Sequence, residues 1–226
     1  MTTALKIGVL RPSKAPNLPI APADYSQQYQ DQLNNALRLY FNQIDNFAQP
    51  ITQQNGGSYL SFPFIAASDS AIQYATGNNI PTTVQWNSLD VGSGFILNAN
   101  GTATATYPGT YKITYSLQFA NTDNAVHDSI VWLRINGVDV ANSSTIFSVP
   151  ARKSAGVASY VCGYSEVVFP LNAGDNVALW WGTDQAASSG GAVGNYIYFR
   201  PSQTSPMAYP ATPSAIGSIT FVSALS

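Results

Sequence analysis

The chain has 226 residues, 45% of them hydrophobic, 12% aromatic and only 9% charged, with a net charge of -2. That apolar content is enough for one sizeable core, so the low charge does not signal disorder, and the surface must be built largely from Ser, Thr, Asn, Gln and Gly. Nucleic acid is not expected as a partner, because its phosphates call for clustered Lys and Arg, and the basic residues from Arg11 and Lys14 to Arg200 are scattered.

One cysteine, Cys162, permits no intrachain disulfide and no cysteine metal cluster. A small buried residue on a strand is expected there. The start, MTTALKIGVLRPSK, lacks the apolar run of a secretion signal. No segment approaches membrane-spanning length, so no membrane insertion is expected and synthesis is assigned to a cytoplasm.

Residues 1–23 contain Pro12, Pro16, Pro19 and Pro22. Proline removes backbone donors and disfavours helix at the residue before it, so this segment forms no core of its own. It is either a disordered tail or an extended arm that orders against another protein. The apolar residues Leu5, Ile7, Val9, Leu10, Leu18 and Ile20 favour the arm. Asp24 then reads as a helix N-cap, with Gln27 completing a capping box. Tyr25 to Ala48 is free of glycine and proline, and Pro50 is expected to end the helix. Leu33, Leu37, Tyr40, Ile44 and Phe47 fall at spacings of four, three, four and three, a heptad seam of two repeats. Two heptads are too short to hold a coiled coil alone. The alternatives are self-association and an amphipathic helix lying on the following domain. The arm before it and the flexible linker 51–58 after it favour self-association.

Residues 59–226 read as one β domain. The strongest signal runs from Tyr107 to Val140. Tyr111, Ile113, Tyr115, Leu117 and Phe119 alternate with polar residues, the period of a strand with one buried face. Ile130 to Ile135 is a second strand. Asn136-Gly137 tolerates positive φ at both centres of a tight hairpin, and Val138 to Val140 returns. Other predicted strands are 59–66, 82–86, 94–97, 102–107, 157–171, 176–181, 194–199 and 216–224, separated by turns such as Asn100-Gly101 and Ala173-Gly174-Asp175. The fold class is therefore mainly β, an antiparallel sandwich or barrel with an N-terminal arm and one self-associating α-helix. Ile130, Trp132, Tyr196 and Tyr198 oppose Val131, Leu133, Ile197 and Phe199, and strands apolar on both faces need cover on both.

Tyr107-Pro108-Gly109-Thr110-Tyr111-Lys112-Ile113, Leu133-Arg134-Ile135-Asn136-Gly137, the stretch Val167 to Leu179 and Ile219-Thr220-Phe221-Val222 resemble the trimeric jelly roll of complement-type heads and tumour-necrosis-factor-like ligands. Ala15 to Pro22, followed by Tyr29, Leu33, Leu37 to Asn42 and Ile44 to Asn46, is similar to the start of tail-fibre-like and other structural proteins of bacteriophages, marine ones especially; Thr212-Pro213-Ser214-Ala215-Ile216 resembles their ends. The resemblance implies a homotrimeric virion appendage with an antiparallel jelly-roll β-sandwich head and a trimerising α-helix, held to another virion protein by residues 1–23. It also reconciles synthesis in a host cytoplasm with work outside it. Tail fibre, neck appendage and capsid decoration all remain open, as does a stand-alone carbohydrate-binding module. No calcium motif of the complement-like family matches.

Catalysis is not expected, and neither a cofactor nor a metal is predicted. His127, the single histidine, shares the segment NTDNAVHDS with Asp123, Asp128 and Ser129. A triad is defined by geometry, and a polar loop capped by its own side chains is the plainer reading; a metal set of His127, Asp123 and Asp128 is the rarer one. The predicted tips are 121–128, 143–156 and 183–194. Trp180 or Trp181, whichever faces out, is the candidate contact for a host-surface glycan, against core and subunit packing as the alternative.

Overall fold

The computed structural model describes residues 16–20, 22, 24–52 and 62–225, and the chain divides into two units, Met1–Phe62 and Pro63–Ser226. In the first, helix α1 spans Gln27–Thr52. Its cap is Ser26 rather than Asp24: the Ser26 hydroxyl accepts from the Tyr29 amide at 3.3 Å. A cap must sit directly before the first helical residue, and Ser26 does. The helix also runs past Pro50. Proline so near the end removes one backbone donor and touches only the final turn.

The second unit holds β1 (Phe64–Asp69), β2 (Thr82–Thr83), β3 (Ser88–Ser93), β4 (Phe95–Leu97), β5 (Thr102–Ala105), β6 (Gly109–Asn121) and β7 (His127–Ile135). After these come β8 (Val138–Asp139), β9 (Thr145–Val149), β10 (Ser159–Leu171), β11 (Asn176–Thr183), β12 (Asn195–Ile197) and β13 (Ala215–Ser223). Two of them, β3 and β9, lie outside the predicted strands; β9 takes five residues of what the sequence suggests is a loop over 143–156.

Two antiparallel sheets result. The first has the order β10-β6-β13-β1-β3, with β12 beside the end of β6. The second has the order β4-β5-β11-β7-β8, with β2 beside β11 and β9 beside β7. The chain passes from sheet to sheet between successive long strands β6, β7, β10 and β11, and the last strand, β13, closes between β6 and β1. This is a jelly-roll sandwich. β6 and β10 pair from Gly109↔Leu171 to Asn121↔Ser159 without a register shift.

The core lies between the sheets. Tyr111, Ile113, Tyr115, Leu117 and Phe119 of β6 are buried, as their alternation predicts, against Val131, Leu133, Val177, Leu179 and Trp181. Each large side chain buried this way contributes about 1.5–3 kcal/mol. The Asn136-Gly137 hairpin forms with φ of 52° and 81°. Cys162 is not buried: it faces outward from β10, with its Sγ 3.2 Å from the Ser116 hydroxyl. Parity decides this, because Gly163 takes the inward position, where a Cβ would meet the Phe119 ring at 2.7 Å.

Candidate functional site

Trp180 and Trp181 are neighbours on β11, so the pleat sends them to opposite faces. Trp181 is fully buried, its ring centroid 6.1 Å from that of Phe119. A glycan cannot reach it, and of the two candidates only Trp180 stands. Trp180 lies on the outer face of the second sheet, between Thr83 of β2 and Trp132 of β7. The guanidinium carbon of Arg134 sits 4.0 Å from its ring centroid. Asp139 fixes that arginine, accepting from Arg134 Nε at 2.5 Å and from Trp132 Nε1 at 2.6 Å. The arginine and then the indole hydrogen bond hold the Asp139 carboxyl below the usual carboxylate range. Trp180 is thus braced by a cation that is itself held in place.

Trp180 also lines an open cleft of about 560 Å³, together with Gln73, Tyr74, Thr83, Gln85 and Asn87. A network under the cleft fixes its shape. Asp69 is 2% exposed and accepts from Gln73 Nε2 and, at 3.4 Å, from the Ser214 hydroxyl. Gln73 in turn accepts from the Gln85 amide at 2.8 Å and donates to the Gln85 carbonyl at 3.0 Å. Burial pushes the Asp69 carboxyl up, against the pull of these hydrogen bonds. Tyr74 stacks on Tyr196, centroids 5.7 Å apart. Sequence reasoning missed Tyr74, Gln73, Gln85 and Thr83 as site residues. Thr83 meets Trp180 through the β2–β11 pairing, and Gln73, Tyr74 and Gln85 join it as lining of the cleft; no local periodicity marks either.

His127 opens β7 between two loops. Its Nε2 is 2.7 Å from Asp123 Oδ2 and its Nδ1 is 3.3 Å from Asp184 Oδ2. Asp184 Oδ1 accepts from the Asp128 amide at 3.1 Å. Burial works against a charge on the imidazole, but the two carboxylate hydrogen bonds outweigh it and raise the pKa above the usual 6.5. The metal set of His127, Asp123 and Asp128 does not assemble. The Asp128 carboxylate accepts from the Ser148 hydroxyl instead. Among the described residues, no group of three or more His, Cys, Asp or Glu is placed to hold a metal. Ser129 is buried and accepts from Asn195 Nδ2 at 3.0 Å, so no Ser-His-Asp triad forms.

Along α1, Leu33, Leu37, Tyr40 and Ile44 share a half-buried stripe with Tyr29 and Ala36; the side chain of Phe47 lies outside the described set. Leu18 and Ile20 of the expected arm are 51% and 96% exposed, and Leu5, Ile7, Val9 and Leu10 lie outside the described residues. On the outer face of the first sheet, Tyr160, Tyr164, Val168, Ile216 and Val222 are exposed beside the ion pair Lys112–Glu166, 3.5 Å apart.

No family model matches the chain, and no curated protein matches it. Among solved structures, the crystal structure of murine APRIL at pH 5.0 is similar, at 15% identity and a TM-score of 0.44, over 71% of this chain and 100% of that one.

Proposed function

We propose that the protein is a homotrimeric structural component of a bacteriophage virion, a tail or neck appendage whose arm binds another virion protein and whose jelly-roll head contacts the host surface. The observation that carries the reading is the stripe of α1. In the single chain Leu33, Leu37, Tyr40 and Ile44 are only half covered, and parallel copies of the helix would cover them. The exposed Tyr160, Tyr164, Val168 and Ile216 support the same conclusion from the head, since apolar patches on a polar surface mark contacts. The order of parts, arm then helix then head, suits an anchored appendage. The role is binding rather than catalysis, in keeping with a histidine whose two ring nitrogens are both engaged by carboxylates.

Multi-angle light scattering tests the assembly: the expected mass is three times the 24.0 kDa chain, and a monodisperse monomer overturns it. Cryo-electron reconstruction of phage particles carrying the protein tests the location. Three-fold heads at the tail or neck support an attachment role. Heads spread over the shell replace that with decoration, and absence from purified particles removes the virion reading. A stand-alone carbohydrate-binding module is the second reading, favoured by the cleft beside Trp180.

A further inference from the structure

We propose that the cleft beside Trp180 binds uncharged sugar rings, presented as a neutral polysaccharide on the host surface. The proposal deepens the host-contact part of the function above and rests on it for its biological setting.

Its two aromatic walls, Trp180 and Tyr74, are each held by a second group, Trp180 by Arg134 at 4.0 Å and Tyr74 by Tyr196 at 5.7 Å. Walls fixed before the ligand arrives spare the ordering cost that weakens binding by mobile side chains. The apolar C–H face of a pyranose is the complement of such a ring, while its rim of hydroxyls needs hydrogen-bonding neighbours. The cleft supplies these from Thr83, Gln85 and Asn87. A wholly apolar ligand would strand those groups away from water, at a cost. An anionic ligand fits no better. Arg134, against the Trp180 ring, is paired with Asp139; no Lys or Arg lines the cleft itself, and its ionisable groups are Asp69, already engaged by Gln73, and Tyr74. The volume of about 560 Å³ falls in the range of roughly 300–1,000 Å³ usual for small-ligand sites.

The full-length protein is titrated calorimetrically with neutral oligosaccharides of glucose, galactose, mannose, rhamnose and N-acetylglucosamine, and in parallel with uronic and sulfated oligosaccharides. A neutral member is expected to bind, and Trp180→Ala to weaken it by about tenfold or more. Gln85→Ala, at an exposed position, keeps the fold and gives a smaller loss, so the site stays testable if the tryptophan variant unfolds. The proposal is overturned if no neutral member binds, if the acidic sugars are preferred, or if both variants bind as the parent does. Particle location is read separately. A virion protein that binds no neutral sugar loses only the site, and a sugar binder absent from particles loses only the virion assignment.

Discussion

His127 joins two of the loop tips. Its side chain is 13% exposed and ties Asp123, in the loop between β6 and β7, to Asp184, just after β11. Because its pKa is raised in the folded state, the charged form is the one that folding favours. Its contribution is fully present below the unfolded value of 6.5 and is lost as pH rises through the higher folded value. Asp123 has the opposite sign. The His127 hydrogen bond holds its carboxyl down, so its share is present above the unfolded carboxylate range and lost in acid. The clasp is therefore strongest in the window between the two titrations. His127→Gln should lower the melting temperature at pH 5.5 by about 2–4 °C, for roughly 1 kcal/mol of a charge-assisted hydrogen bond in a domain of this size. At pH 8.5 the gap between variant and parent should shrink. A gap that stays constant from pH 5.5 to 8.5 would show that folding leaves the imidazole's pKa unshifted.

At the scale of elements, what local pattern specifies came through and what pairing specifies did not. The alternation in β6 and the Asn136-Gly137 turn lie within one stretch of chain, where burial parity and positive φ are written directly in residue type. β9 is different. Phe147 and Val149 face inward while Ile146 is 63% exposed, so its apolar residues occupy both faces and the alternation vanishes. β3 likewise leaves Leu89 and Val91 more than half exposed, and its strand character comes from pairing with β1. Ser26 rather than Asp24 caps α1 because several cap-competent residues precede the helix and only the start at Gln27 selects among them. The stripe of α1 makes a sharp prediction. Leu37→Asp places a charge in the middle of the proposed helix contact, so sedimentation should show chains dissociating at concentrations where the proposed trimer of the parent is expected to hold. Circular dichroism of the head's strands should be unchanged. A variant that remains fully trimeric would move the contact off the helix.

For the molecule as a whole, the division at Phe62/Pro63 implies that Pro63–Ser226 contains everything its core needs. β1 lies between β13 and β3 in its sheet, paired to β13 from Phe64↔Thr220 to Asp69↔Ala215, and the fragment 63–226 includes it whole. This fragment should unfold in one cooperative transition, checked by differential scanning calorimetry. Broad, non-cooperative melting would mean that residues before 63 belong to the core. The jelly roll as a class was legible because its long strands carry their own periodicity. The cleft was not: Gln73, Tyr74 and Gln85 lie about a hundred residues from Trp180, and only the whole topology brings them together. Even the choice between Trp180 and Trp181 awaited the register of β11 against β7. The one thiol of the chain has a practical meaning at this scale. Cys162 stands in the open on β10, on the same outer face as Tyr160, Tyr164 and Ile216. The rate at which a small maleimide alkylates it is therefore a direct reading of whether that face is bare or covered in any state of the protein, from isolated chain to assembled particle, with no residue changed.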